Sequence, residues 1–195
     1  IHGCLVGSEM CIRDSANDHY STEEAIKFIN KIEQLNVEHV EQPISRYDFL
    51  GMREIRKSVN VPLMTDDMVS TPLDAMNVIR LDAADRVKVK VTKHGIDGAI
   101  QIISMLSSAG KRAVLGHVFE TGLAAVAEAH LAMLFPDIVG PHEIGSMEPL
   151  GVADKILQED PYCDHGSITI PEGVGLGVSV DWAVSYTHLT LPTSG

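Results

Sequence analysis

Cysteine is scarce in this chain, with three in 195 residues: Cys4, Cys11 and Cys163. No two share a Cys-x-x-Cys spacing or a nearby partner, which argues against a disulfide framework and against a thiolate zinc site. A reducing cytoplasm is the compartment such usage predicts. Positive charge is also short. Fifteen Lys and Arg face 27 Asp and Glu, a formal net charge of -12. That balance disfavours nucleic acid and anionic membrane surfaces as partners. It leaves room for an anionic small molecule, because one bound divalent cation reverses the local field. Although 45% of residues are apolar, no run approaches the roughly 20 needed to span a bilayer. Neither a GxGxxG turn nor a P-loop is present.

The two ends read differently from the middle. Cys4 to Ser15 spells CLVGSEMCIRDS and Ala183 to Thr193 spells AVSYTHLTLPT. Neither carries a helix or strand period that joins its neighbour, and both resemble translated sequencing adapter. Residues 1–15 and 183–195 are therefore set apart from fold reasoning, and 16–182 are taken as the native domain. On that division the N-terminal stretch is neither signal peptide nor anchor, and Cys163 is the one native cysteine.

What fills the middle is an alternation of short apolar runs and helical stretches. Ser21 and Glu24 have capping-box spacing, and Ala25, Ile26, Ile29, Ile32 and Leu35 make one helical stripe. Strands are expected at Val37–Glu41, Val61–Thr65, Arg86–Val91 and Ala113–Gly116, with a candidate at Ile138–Ile144. Helices are expected at Leu50–Val59, after Thr71-Pro72, at Ile96–Ser107 and at Gly122–Leu134. Met64, Met68, Met76, Met105 and Met133 read as core fillers. Strand ends recur at Glu41, Asp66, Lys90, His117 and Glu143, at steps of 25, 24, 27 and 26 residues. Strict alternation of this length implies a parallel sheet with helical crossovers, an α/β fold. A doubly wound sheet fits the alternation too. An ionisable residue at every strand end favours a TIM (β/α) barrel, whose strand C-termini open on one functional face.

Glu41 and Asp66 end consecutive strands, so their carboxylates would lie close. Clustered carboxylates repel, and a hard divalent cation relieves the repulsion. Lys90 ends the next strand, and a lysine beside a cation in a closed site suits the work of a base. Each residue alone is a weak signal; their shared register carries the reading. His117 admits two roles, a group facing substrate or a hydrogen-bonded residue at the rim.

The stretches Val40-Glu41-Gln42-Pro43, Thr65-Asp66-Asp67, Val89-Lys90-Val91-Thr92-Lys93-His94-Gly95 and Gly116-His117-Val118-Phe119-Glu120-Thr121-Gly122 resemble the enolase superfamily, in its muconate-lactonizing branch. Pro171-Glu172-Gly173-Val174-Gly175-Leu176-Gly177 is similar to that branch's tail. The resemblance implies a partial barrel of about six of eight βα units, without the N-terminal capping domain. It implies Mg2+, or Mn2+ in its place, held by three acids on successive strands. Glu41 and Asp66 match the second and third. The first should precede Ala16-Asn17, where Ser15 now stands, as an adapter joined within an Asp codon would produce. Lys90 matches the barrel base. Asp67, Lys88, His117, Glu120 and Glu143 are implied as substrate-binding or supporting residues.

The implied reaction is abstraction of the proton α to a carboxylate, giving an enediolate. Muconate cycloisomerisation comes first, with racemisation, epimerisation or acid-sugar and succinylbenzoate-type dehydration as alternatives. His142-Glu143-Ile144-Gly145 lacks the Asp-x-Asp pair of dipeptide epimerases, which argues against a dipeptide. The implied partner is a small carboxylate, and the parent protein is expected to be a homo-oligomeric isomerase. The literal chain could instead be an inactive barrel remnant. An aldolase-type barrel would need a Schiff-base lysine or a histidine-rich metal site.

Overall fold

A computed structural model describes residues 18–118, 120–135, 138, 142–144, 156–158, 163–164 and 167–184. Ser15 lies outside the described residues, as do 139–141 within the last strand candidate. The chain divides into two compact units, Ile1–Val87 and Lys88–Gly195.

In the first unit, α1 (Thr22–Ile32) starts where the sequence requires. The Ser21 hydroxyl accepts the Glu24 N–H at 3.3 Å and the Glu24 carboxylate accepts the Ser21 N–H at 3.0 Å. Such a cap is worth about 1 kcal/mol. Ala25 and Ile29 are buried. Leu35, expected on the same stripe, is exposed, because a 3-10 turn (Glu33–Leu35) and left-handed Asn36 end the helical period. Then come β1 (Val40–Glu41), α2 (Phe49–Ser58), β2 (Leu63–Thr65), α3 (Pro72–Leu81) and the first half of β3 (Arg86–Val89). Thr71 caps α3 in a second capping box with Asp74, and Pro72 follows at its first turn. Parallel pairing sets Val40 opposite Leu63 and Glu41 opposite Met64, then Met64 opposite Arg86 and Thr65 opposite Val87. α2 packs against α1 and α3. Met52, Ile55, Leu63, Met64, Ala75 and Val78 form the core. β1 is shorter than expected, since pairing begins only where the Val40 N–H reaches Pro62 O.

In the second unit, the end of β3 leads into α4 (Val91–Ser108), then β4 (Arg112–Leu115), α5 (Gly122–Leu134) and an antiparallel hairpin of β5 (Cys163–Asp164) and β6 (Ser167–Ile168). β4 neighbours β3, and the Gly116 N–H donates to Val89 O at 2.9 Å. Ile138 makes a parallel bridge to Ala113. Ile102, Ile103, Leu106, Leu115, Val126 and Leu131 are buried. β3 ends at Val89 rather than Val91. The Lys90 carbonyl already accepts the N–H groups of Lys93 and His94, so a helical turn forms before the break at Gly95, whose φ is +67°. Met64 and Met68 are core residues as expected; Met76 and Met133 are exposed. Among the described residues no helix is long and apolar enough to cross a membrane.

Candidate functional site

The expected site residues fall in both units. Glu41, Asp66 and Asp67 lie in the first, and Lys88, Lys90, His117, Glu120 and Glu143 in the second.

In the first unit, Glu41 is buried at the end of β1. It sits opposite Met64 in the register. Side chains alternate along a strand, so Asp66, two residues beyond Met64, continues on the Glu41 side while buried Thr65 takes the other. Gln42 links the two strand ends. Its backbone is left-handed at φ +36°, a conformation a non-glycine residue keeps only when its surroundings hold it. Here its N–H donates to Met64 O at 2.9 Å. Its side-chain oxygen accepts the N–H groups of Asp66 and Met68 at 3.0 and 3.3 Å, and its amide nitrogen donates to Ile44 O at 2.9 Å. The sequence offered the Glu-Gln-Pro triplet as a signal, yet only its acid was singled out. Asp67 is partly exposed and pairs with Arg46 at 3.3 Å; Arg46 also reaches Asp18 at 3.3 Å. Asp67 is thus part of a rim ion network.

Two carboxylates on one side of adjacent strand ends are hard oxygen donors of the kind that suits Mg2+, which commonly takes one or two protein carboxylates and keeps its waters. Among the described residues no group of three or more His, Cys, Asp or Glu side chains forms a complete metal cluster. The fit is therefore to a two-carboxylate share of a site.

In the second unit, Lys88 and Lys90 alternate to the same side of β3 and are 3% and 6% exposed. Room for both comes from Gly116. A Cβ there would stand 2.4 Å from Lys88 Cγ and Cδ and 3.1 Å from Lys90 Cε. Lys88 Nζ bonds both Glu143 oxygens, at 3.1 and 2.9 Å. Glu143 therefore serves the lysine cluster. Glu120 is buried, accepting the Thr92 hydroxyl at 3.1 Å and the Val118 N–H at 2.5 Å. His117 Nε2 lies 3.3 Å from Glu120 Oε2.

One acid here escaped the sequence reading. Glu128 is buried in the middle of α5 and accepts the Val91 N–H at 3.2 Å. Burial pushes its carboxyl up to about 8. The Val91 hydrogen bond opposes this; the Glu120 charge adds to it, Lys90 opposes it, and Glu143 adds to it. A signal was available: α5 is apolar on nearly every side, and Glu128 is its one carboxylate.

The Enolase C-terminal domain-like family model matches residues 5–184. The chain is 35% identical over 176 residues to an L-Ala-D/L-Glu epimerase of Bacillus subtilis, covering 89% of this chain and 47% of that protein. It is 30% identical over 171 residues to muconate cycloisomerase 1 of Rhodococcus opacus, covering 87% and 45%. A solved dipeptide epimerase from Cytophaga hutchinsonii, complexed with Mg and the dipeptide D-Ala-L-Val, superposes with a TM-score of 0.80 at 29% identity, covering 89% of this chain and 47% of that one. The chain spans about half the length of the curated relatives it matches.

Proposed function

The chain belongs to the Enolase C-terminal domain-like family, and from that premise we propose that the whole protein is a magnesium-dependent isomerase that removes the proton α to a substrate carboxylate. The observation that carries the reading is the ordered set of strand-end groups, a carboxylate pair at Glu41 and Asp66 followed by buried Lys90. Glu41 and Asp66 would hold the ion, and its positive charge would favour the negative charge that builds on the substrate carboxylate. Gln42 keeps the two strand ends in register. Lys90 takes the proton. Lys88 keeps its charge paired with Glu143, and Glu120 with His117 lines the rim. The first acid of the metal set belongs at position 15, now Ser. The βα units belong to a (β/α) barrel of which about six of eight are in this chain.

Two finer readings rest on the relatives, which include both epimerases and cycloisomerases. Cycloisomerisation agrees with the missing Asp-x-Asp pair at His142-Glu143-Ile144. Epimerisation agrees with the dipeptide epimerases among the relatives. Both pass through an enediolate whose α-carbon loses or gains a proton. The test is therefore a screen of carboxylic acids, with dipeptides and muconate included, in D2O with the whole protein and Mg2+. Deuterium is expected at the α-carbon of at least one class, and the product then separates the readings. Failure to exchange any α-proton across the panel contradicts the proposal.

A further inference from the structure

Lys88 reaches further than a residue inside a strand usually does. Leu115 of β4 turns its N–H and C=O to one edge, where His142 Nδ1 and the Glu143 N–H meet them at 3.4 and 3.0 Å. The Gly116 N–H turns to the other edge and meets Val89 O of β3 at 2.9 Å. Glu143 therefore stands on the far side of β4 from Lys88. The lysine crosses the width of β4 to reach it, and Gly116 is where it crosses: a Cβ there would lie 2.4 Å from Lys88 Cγ and Cδ. At the end of that span Lys88 Nζ bonds both Glu143 oxygens, at 3.1 and 2.9 Å. Lys90 lies against the same glycine, with Cε 3.1 Å from the Cβ position, so the crossing arm runs beside the proposed base. Within the pair the lysine side chain is 4% exposed and the glutamate side chain 20%. The open member of the pair is thus the acid.

An acid that opens beside a base is placed to receive an ammonium group of a substrate. Here that place is taken. We propose that Lys88 is a specificity-determining residue: its own ammonium fills, from within the chain, the position on Glu143 that a substrate ammonium would need. The substrate is then a carboxylic acid with no ammonium on that side, its nitrogen absent or acylated. The inference rests on the proposed reading of Lys90 as the base. Two costs exclude a second ammonium. If it displaced Lys88, a buried lysine would lose its carboxylate, and breaking a buried pair by removing one partner is strongly unfavourable. If it joined Lys88, two ammonium nitrogens each about 3 Å from one carboxylate would stand within roughly 5 Å of each other, where like charges repel. An uncharged amide or a hydrocarbon incurs neither.

The experiment takes two readings on the whole protein. The first uses ethylammonium alone, with neither Mg2+ nor substrate. Lys88→Ala removes the internal ammonium and opens a space of that shape beside Glu143. Ethylammonium chloride, compared with sodium chloride at equal ionic strength, should raise the urea midpoint of Lys88→Ala and leave that of wild type unchanged. If the alanine variant is unfolded, the amine should restore its fold. No effect on the variant, or an equal effect on wild type, overturns the proposal. The second reading is α-deuterium exchange with Mg2+ in D2O on amino-bearing acids paired with their N-acetyl derivatives, L-Ala-L-Glu among them. Wild type should favour the acetylated member by roughly tenfold or more in kcat/KM, and Lys88→Met should narrow that ratio by a similar factor. A merely structural role would lower both rates and leave the ratio alone. A wild type that favours the free amine, or a ratio unmoved in Lys88→Met, overturns the proposal. If no acid exchanges at all, the proposed reaction fails, and the ethylammonium reading still decides whether Lys88 fills the place.

Discussion

Gly116 shows how one absent side chain can organise several present ones. Lys88 and Lys90 point to the same side of β3, and both need space over the neighbouring strand. The 2.4 Å approach of a hypothetical Cβ to Lys88 Cγ and Cδ is to the middle of that side chain, not to its movable tip. Gly116→Ala should displace Lys88 from Glu143 and crowd Lys90. Overpacking of this kind costs roughly 1–3 kcal/mol, to be measured as a drop in the urea midpoint. An unchanged midpoint would mean that the lysines have room the geometry does not show. Gln42 is the complementary case, a residue whose strained backbone is retained because its side chain bonds three backbone groups around the Glu41 and Asp66 strand ends.

The elements were legible where local chemistry decides them. Two capping boxes and a proline placed the starts of α1 and α3, and strand spacing placed the parallel sheet. The departures are tertiary in origin. Val91 alternates like a strand residue, yet it belongs to α4: the Lys90 carbonyl accepts the Lys93 and His94 N–H groups, and the Val91 N–H is taken up by Glu128 from a helix 37 residues away. No local pattern contains that contact. Glu41, Asp66 and Lys90 stand at or just past the ends of β1, β2 and β3, while the pairing of Lys88 with Glu143 joins residues 55 apart and has no local signature. α5 also carries a pH prediction. Glu128 holds its proton in the folded state up to about 8, against 4.5 as the ordinary value. The folded state therefore binds the extra proton between those limits. The stability this contributes is full below about 4.5 and is lost as pH rises towards 8. Between about pH 5 and about pH 8, wild type should lose on the order of 1–3 kcal/mol relative to Glu128→Gln in matched denaturant titrations. Parallel pH profiles of the two proteins would contradict it.

At the scale of the whole molecule, an acidic chain carries a buried pair of lysines and a pair of carboxylates on successive strand ends. The chain belongs to the Enolase C-terminal domain-like family and spans about half the length of the curated relatives it matches. The central claim is that Lys90 moves the proton while Glu41 and Asp66 hold the cation. The most direct measurement is α-proton exchange in D2O by the whole protein with Mg2+, on whichever acid the screen returns, for wild type, Lys90→Met and Glu41→Gln. Each substitution should lower the exchange rate by at least about 100-fold, and raising Mg2+ should recover part of the loss in Glu41→Gln but none in Lys90→Met. Exchange that continues at the wild-type rate in Lys90→Met would contradict the account.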